Sequence, residues 1–170
     1  IFYSMLKLLY IANVRMPTEK AHGIQIVKTC EALADLGVKV ELLVPDRKNF
    51  IKDDPFEFYK ISKNFTIKKL PCLDLMGISF LKKFTFWLES FTFYFSVKKY
   101  IIKNKFDAYY TRDLLLAFFL SQKINNVFYE AHSLPQKPNS KYIKTWKRVK
   151  GLLAISEGIK KDLLSFGVPE

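Results

Sequence analysis

Apolar residues run unbroken from Leu8 to Ala12 and then recur at helical spacing from Ile24 to Leu36. An apolar run without alternation is the pattern of a strand covered on both faces, as in a parallel sheet. On the helix that follows, Ile26, Val27, Cys30, Leu33 and Ala34 share a face, and Gly37 stands where a left-handed cap would turn the chain into the next strand, Val38 to Val44. Strand, helix and strand make one βαβ unit. Pro45-Asp46-Arg47 closes its second strand, and Asp53-Asp54-Pro55 predicts the start of a short helix.

The alternation continues. Phe65 to Leu70 is a third strand, closed by Pro71. From Ile78 to Asn104 the pattern is ambiguous. Phe84, Phe86 and Leu88, like Phe91, Phe93 and Phe95, alternate as a strand would, whereas Leu81, Phe84, Leu88, Phe91 and Phe95 fit a helix. Length decides for the helix, and packing against the sheet is the expected fate of its aromatics. Ala108 to Thr111 is then a strand, Asp113 caps a helix to Ile124, and Val127 to Tyr129 is the fifth strand. A helix over Tyr142 to Val149, a strand from Leu152 to Ile155 and a helix capped by Ser156 and ending near Phe166-Gly167 complete the chain. The expectation is a single Rossmann-like α/β domain over residues 1–170, a doubly wound parallel sheet of about six strands with ligands at the strands' carboxyl ends.

Composition narrows the picture only in part. With 170 residues and 49% hydrophobic content the chain can bury a full core. Its net charge of +12 suits nucleic acid, anionic lipid and phosphorylated small molecules alike, and its lysines are spread in pairs rather than gathered into a tail. Two cysteines, Cys30 and Cys72, support neither a disulfide framework nor a zinc site, and a reducing cytoplasm fits them. The residues before Met5 lack the charged start of a signal peptide, so export is not expected. The apolar stretch Phe84 to Val97, interrupted by Glu89, is shorter than the roughly 20 residues that a spanning helix needs.

Candidate chemistry collects at the ends of the predicted strands: Glu19, Lys20, His22 and Gly23 after the first, Arg112 after the fourth, Glu130 and His132 after the fifth, and Ser156 after the sixth. Both histidines of the chain belong to this set. The loop and helix start around Gly23 offer N-H groups and a positive dipole end to a phosphate or carboxylate. Gly23 itself has two readings, a close approach of backbone to phosphate or a turn with positive φ. His132, with Glu130 orienting its ring, would bond a sugar hydroxyl or position a reacting group, or would bond backbone in a plain loop. Arg112 suits an anion, or an ion pair with Asp113; Ser156 suits a ligand, or a plain helix cap. Glycine-rich dinucleotide and P-loop signatures are missing, as are a nucleophile elbow and an H-E-x-x-H metal motif.

Four segments in order, Tyr10-Ile11-Ala12-Asn13 through Ala21-His22-Gly23-Ile24-Gln25, Tyr110-Thr111-Arg112-Asp113, Tyr129-Glu130-Ala131-His132 and Ala154-Ile155-Ser156-Glu157-Gly158-Ile159, carry a family resemblance. The chain resembles the N-terminal domain of GT-B glycosyltransferases of family 4. That resemblance implies an enzyme moving a sugar from a nucleotide-sugar donor (UDP- or GDP-sugar) to an acceptor hydroxyl, with retention and no required metal or other cofactor. It implies that Gly23, beside His22, approaches the donor phosphates and that His132 lies beside the transferred sugar. Glu19, Lys20, Arg112, Glu130 and Ser156 then line the cleft on the acceptor side. It also implies a second, nucleotide-sugar domain beyond Glu170, without which this chain would be inactive. Where relatives show two adjacent glycines, this chain has His22-Gly23.

Acceptors in that family are often lipid-linked glycans. A helix combining Phe80, Phe84, Trp87 and Phe91 with Lys82, Lys83, Lys98 and Lys99 would then have a second use, docking at the inner face of an anionic membrane. The competing functional class is a basic, non-catalytic Rossmann-like module that binds a nucleotide or nucleic acid, although no helix-turn-helix or RNA-binding sheet signature is visible.

Overall fold

The structure, a computed structural model, describes residues 5–75 and 82–169, without the side chains of Lys82 and Lys83. Ile78, Phe80 and Leu81, assigned above to the aromatic helix, lie outside the described residues. Among the described residues six parallel strands alternate with six helices, the Rossmann-like α/β class that the hydrophobic pattern predicts. The chain divides into two compact units, residues 1–106 and 107–170.

The first unit holds β1 (Lys7–Ile11), α1 (Ala21–Asp35), β2 (Lys39–Asp46), α2 (Pro55–Tyr59), β3 (Thr66–Pro71) and α3 (Lys82–Lys103). Its strands lie in the order β3-β2-β1, with Leu8 opposite Val40 and Leu42 opposite Ile67. Leu9, Tyr10, Ile11, Leu42, Leu43 and Val44 are fully buried, which is why both strands read as continuous apolar runs. Gly37 takes φ +83° after α1, the left-handed cap its position predicted. Asp54 caps α2 by accepting a hydrogen bond from Phe56 N-H (3.0 Å).

Two expectations change here. Helix α1 begins at Ala21, three residues before Ile24, so His22 and Gly23 belong to its first turn and not to the preceding loop. The aromatics of α3 also depart from the expectation of core packing. Phe93 and Val97 are buried, but Phe84, Phe86, Trp87, Phe91 and Phe95 are exposed. The inward face carries Glu89 and Ser90 as well, so Phe84, Trp87, Phe91 and Phe95, on the opposite face, cannot also turn toward the sheet.

The second unit holds β4 (Ala108–Thr111), α4 (Leu114–Ser121), β5 (Val127–Ala131), α5 (Ser140–Arg148), β6 (Gly151–Ala154) and α6 (Glu157–Ser165). Its strands lie in the order β4-β5-β6, with Tyr110 opposite Phe128 and Glu130 opposite Leu153. Ala117, Tyr129, Ala131, Trp146, Leu163 and Val168 form its core. Asp113 caps α4 through Leu116 N-H (3.0 Å), Asn139 caps α5 and Ser156 caps α6.

Burial pushes the Tyr129 phenol up to about 12, with the nearby Asp113 carboxylate and Tyr142 acting the same way. Because the folded value lies above the unfolded one, its contribution to stability is complete below about pH 10 and is lost as pH rises through 12. Wild type should therefore lose about 1–2 kcal/mol relative to Tyr129→Phe between about pH 9 and pH 11.5, measured by urea unfolding at each pH. Parallel curves for the two proteins would contradict this.

Candidate functional site

In the first unit the chain beyond β1 is pinned by a side chain from α2. The Tyr59 hydroxyl, at the end of α2, accepts from Thr18 N-H and donates to Thr18 C=O, both at 2.7 Å. One phenol thus fixes both backbone groups of a residue just ahead of α1. Gly23 packs beneath this contact. A Cβ built there would overlap Tyr59 Oη and sit 2.6 Å from Thr18 Cγ2. The glycine is required by close approach, and its φ is not positive.

The start of α1 differs from those of α2, α4, α5 and α6. Asp54, Asp113, Asn139 and Ser156 each cap their helices with a side chain, whereas Lys20, at the α1 N-cap, makes no side-chain cap bond and the first turn carries no acid. Glu19 and Lys20 are exposed, and His22 is half-buried. The positive end of a 15-residue helix is left facing its surroundings without a carboxylate of its own.

A second set of first-unit residues was not singled out from the sequence. Arg47, just past β2, donates to Asn13 Oδ1 (3.0 Å) and lies 3.8 Å from Glu89, while the Asn13 amide donates to Ser90 Oγ (3.0 Å). Arg15 bonds Asp74 (2.8 Å) and the Lys48 carbonyl (3.1 Å), and Asp74 also accepts from Lys48 N-H (2.6 Å). The loops after β1, β2 and β3 are therefore tied to one another and to α3. Glu89, a lone acid inside an apolar stretch, was the available signal.

In the second unit Arg112, Glu130 and His132 come together, joined by Tyr110. The Tyr110 hydroxyl donates to Glu130 Oε2 (2.6 Å), Glu130 Oε1 contacts His132 Nε2, and Arg112 Nη2 lies 2.6 Å from His132 Nδ1. A guanidinium can only donate, so Nδ1 accepts and the ring proton resides on Nε2, where the carboxylate receives it. Every ring nitrogen is satisfied with the imidazole neutral. Glu130 proves to be the fourth residue of β5, which extends to Ala131, two residues past the expected Tyr129. Strand pairing therefore fixes the carboxylate that aims the ring. His132 is 24% exposed at its side chain, enough for one edge to meet a ligand.

Asp113 spends its carboxylate on the α4 cap, and Ser156 Oγ accepts from Ile159 N-H (3.3 Å), the plain cap reading.

A sequence profile described as Glycosyltransferase Family 4 matches residues 23–170. The chain belongs to glycosyltransferase family 4. No curated protein sequence matches it. Among solved structures, this family 4 chain is similar to Glycyrrhiza uralensis UGT73P12 complexed with glycyrrhetinic acid 3-O-monoglucuronide. The TM-score is 0.63 at 12% identity, covering 96% of this chain and 47% of that one. It is also similar to Phytolacca americana apo UGT2, with TM-score 0.50 at 12% identity, covering 74% of this chain and 29% of that one. At such identity the likeness is one of fold, and it identifies the family 4 chain as a Rossmann-like domain of the GT-B kind. The chain spans less than half the length of either structure.

Gly23→Ala should destabilise the family 4 domain by about 1–3 kcal/mol, because Tyr59 or Thr18 must move to admit the methyl group. Adding Tyr59→Phe removes the overlapping hydroxyl, so the double variant should lose less than the sum of the single losses. A double-mutant cycle by denaturant unfolding checks this, and strict additivity would contradict it.

Proposed function

We propose that this family 4 domain is the acceptor-side half of a retaining glycosyltransferase that moves a sugar from a nucleotide-sugar donor to an acceptor hydroxyl. The observation that carries the reading is the Tyr110-Glu130-His132-Arg112 chain of hydrogen bonds at the carboxyl ends of β4 and β5. Its geometry supports a fixed neutral imidazole beside the transferred sugar. There Arg112 turns from His132 Nδ1 to the departing nucleotide phosphate, supplying positive charge, and the Nδ1 so released accepts from a sugar hydroxyl.

The uncapped start of α1 supports a donor-phosphate role for the backbone around His22 and Gly23. Glu19, Lys20 and Ser156 are proposed as cleft residues for the acceptor, a glycan or lipid-linked glycan. In this reading the second wall of the cleft belongs to a second, nucleotide-sugar domain of a longer protein, UDP- or GDP-sugar is substrate rather than cofactor, and no metal is needed. The domain works at the cytoplasmic side.

In the enzyme containing both domains, His132→Ala should lower kcat by about 100-fold or more with the circular dichroism spectrum unchanged. Glu130→Gln, which keeps an oxygen for the ring, should lose less than His132→Ala. The 170-residue chain alone should show no turnover with UDP- or GDP-sugars, since half the cleft is missing. Wild-type turnover by His132→Ala would remove this residue from the reaction, and turnover by the isolated chain would refute the two-domain requirement.

A further inference from the structure

A surface helix ordinarily turns its apolar stripe inward and its polar residues to water. Over its middle, α3 departs from this arrangement, with Phe93 and Val97 buried but polar groups beside them and aromatics on the outer side. Glu89 and Ser90 face the protein, 8% and 3% exposed, and both are bonded there: Leu75 N-H to Glu89 Oε1 (2.8 Å) and the Asn13 amide to Ser90 Oγ. Ser96 Oγ likewise donates to the Pro71 carbonyl at the end of β3. The other side of the helix carries Phe84, Trp87, Phe91 and Phe95 at 62%, 55%, 43% and 43% exposure. These four follow i, i+3, i+7, i+11 spacing and so form one stripe, which Ile102, 70% exposed, extends toward the helix end. A contiguous aromatic strip in water is a signature of an interaction surface.

The charge on the helix selects the occupant. Lys99 and Lys103 are exposed and Lys98 is half-exposed, whereas Glu89, the sole acid of α3, is buried against Arg47. The exposed face therefore offers aromatic rings and cations without a carboxylate, on a chain of net charge +12. Apart from the Trp87 indole N-H, the rings offer no conventional hydrogen-bond donors or acceptors by which a particular protein partner would be chosen. Among the described residues no helix is long and apolar enough to cross a membrane.

We propose that α3 lies flat on an anionic lipid bilayer, its aromatic stripe in the interfacial region and its lysines on the headgroup phosphates. The inference rests on exposure and charge, and it does not depend on the transfer chemistry proposed above. It assigns the helix a membrane role in place of the core packing expected from its pattern.

The two tryptophans make a built-in reporter. Trp87 is exposed while Trp146 is 2% exposed in the core of the other unit, so an emission change on docking comes from Trp87. The full 170-residue chain would be mixed at low salt with phosphatidylcholine vesicles containing about 30% phosphatidylglycerol, with partitioning followed by Trp emission and co-sedimentation. A blue shift is expected, with binding weakened in pure phosphatidylcholine and at about 0.5 M salt. Phe91→Ser with Phe95→Ser should bind at least about tenfold more weakly, with the circular dichroism spectrum still that of a folded protein. Lys98→Glu with Lys99→Glu should lose the preference for the anionic vesicles. Absence of binding by wild type at low salt would overturn the proposal, as would unchanged binding by the Phe variant. So would a wild-type dimer, seen by sedimentation without vesicle binding, that the Phe variant abolishes.

Discussion

One buried carboxylate organises the first unit. Glu89 sits inside an otherwise apolar stretch of α3, and a carboxylate out of water must be paired or bonded; stripping such a charge of its partner costs about 3–5 kcal/mol. Arg47 and Leu75 N-H meet that demand, and Arg47 in turn holds Asn13 beyond β1. The loops at the carboxyl ends of the strands are thereby tied to the helix. The same constraint, together with burial of Phe93 and Val97 on that face, sets the rotation of α3 about its axis. With Glu89 inward, Phe91 lies about 200° around the helix and must face away. Order at the strand ends and exposure of the aromatic stripe both follow from what the inward face of α3 must bury.

In the second unit Glu130 has a comparable position. It is held by strand pairing and by Tyr110, and it spends its other oxygen on His132. An imidazole fixed at one nitrogen by a carboxylate and at the other by a guanidinium is organised before any ligand arrives, and an enzyme site needs that condition to stabilise developing charge. Asp113, which could have competed for Arg112, caps α4 instead.

The fold was legible because its signals are local. Buried parallel strands must be apolar throughout, so Leu8 to Ala12 and Val38 to Val44 announced themselves. Caps at Asp54, Asp113 and Ser156 and the turn at Gly37 likewise depend on residue type and nearest neighbours. Boundaries were less legible. The start of α1 at Ala21 rests on Thr18 and on Tyr59, 41 residues further along the chain, and β5 runs on to Ala131 because β6 continues to pair with it. Of the site, residue types and strand-end positions were visible, but Tyr110 and Arg47 were not singled out, since a tyrosine or arginine near a strand end has no distinctive periodicity.

By itself, then, the amino-acid order determined the alternation of strands and helices, the caps and the family to which the chain belongs, because each depends on short-range pattern. Tertiary structure alone decided three things. It made Gly23 a residue of close packing under Tyr59 rather than a turn glycine, it placed the proton of His132 on Nε2, facing Glu130, and it turned Phe84, Trp87, Phe91 and Phe95 of α3 outward. Each of these depends on a partner distant in sequence or held by strand pairing, and periodicity along the chain carries no record of which distant group will satisfy a buried charge.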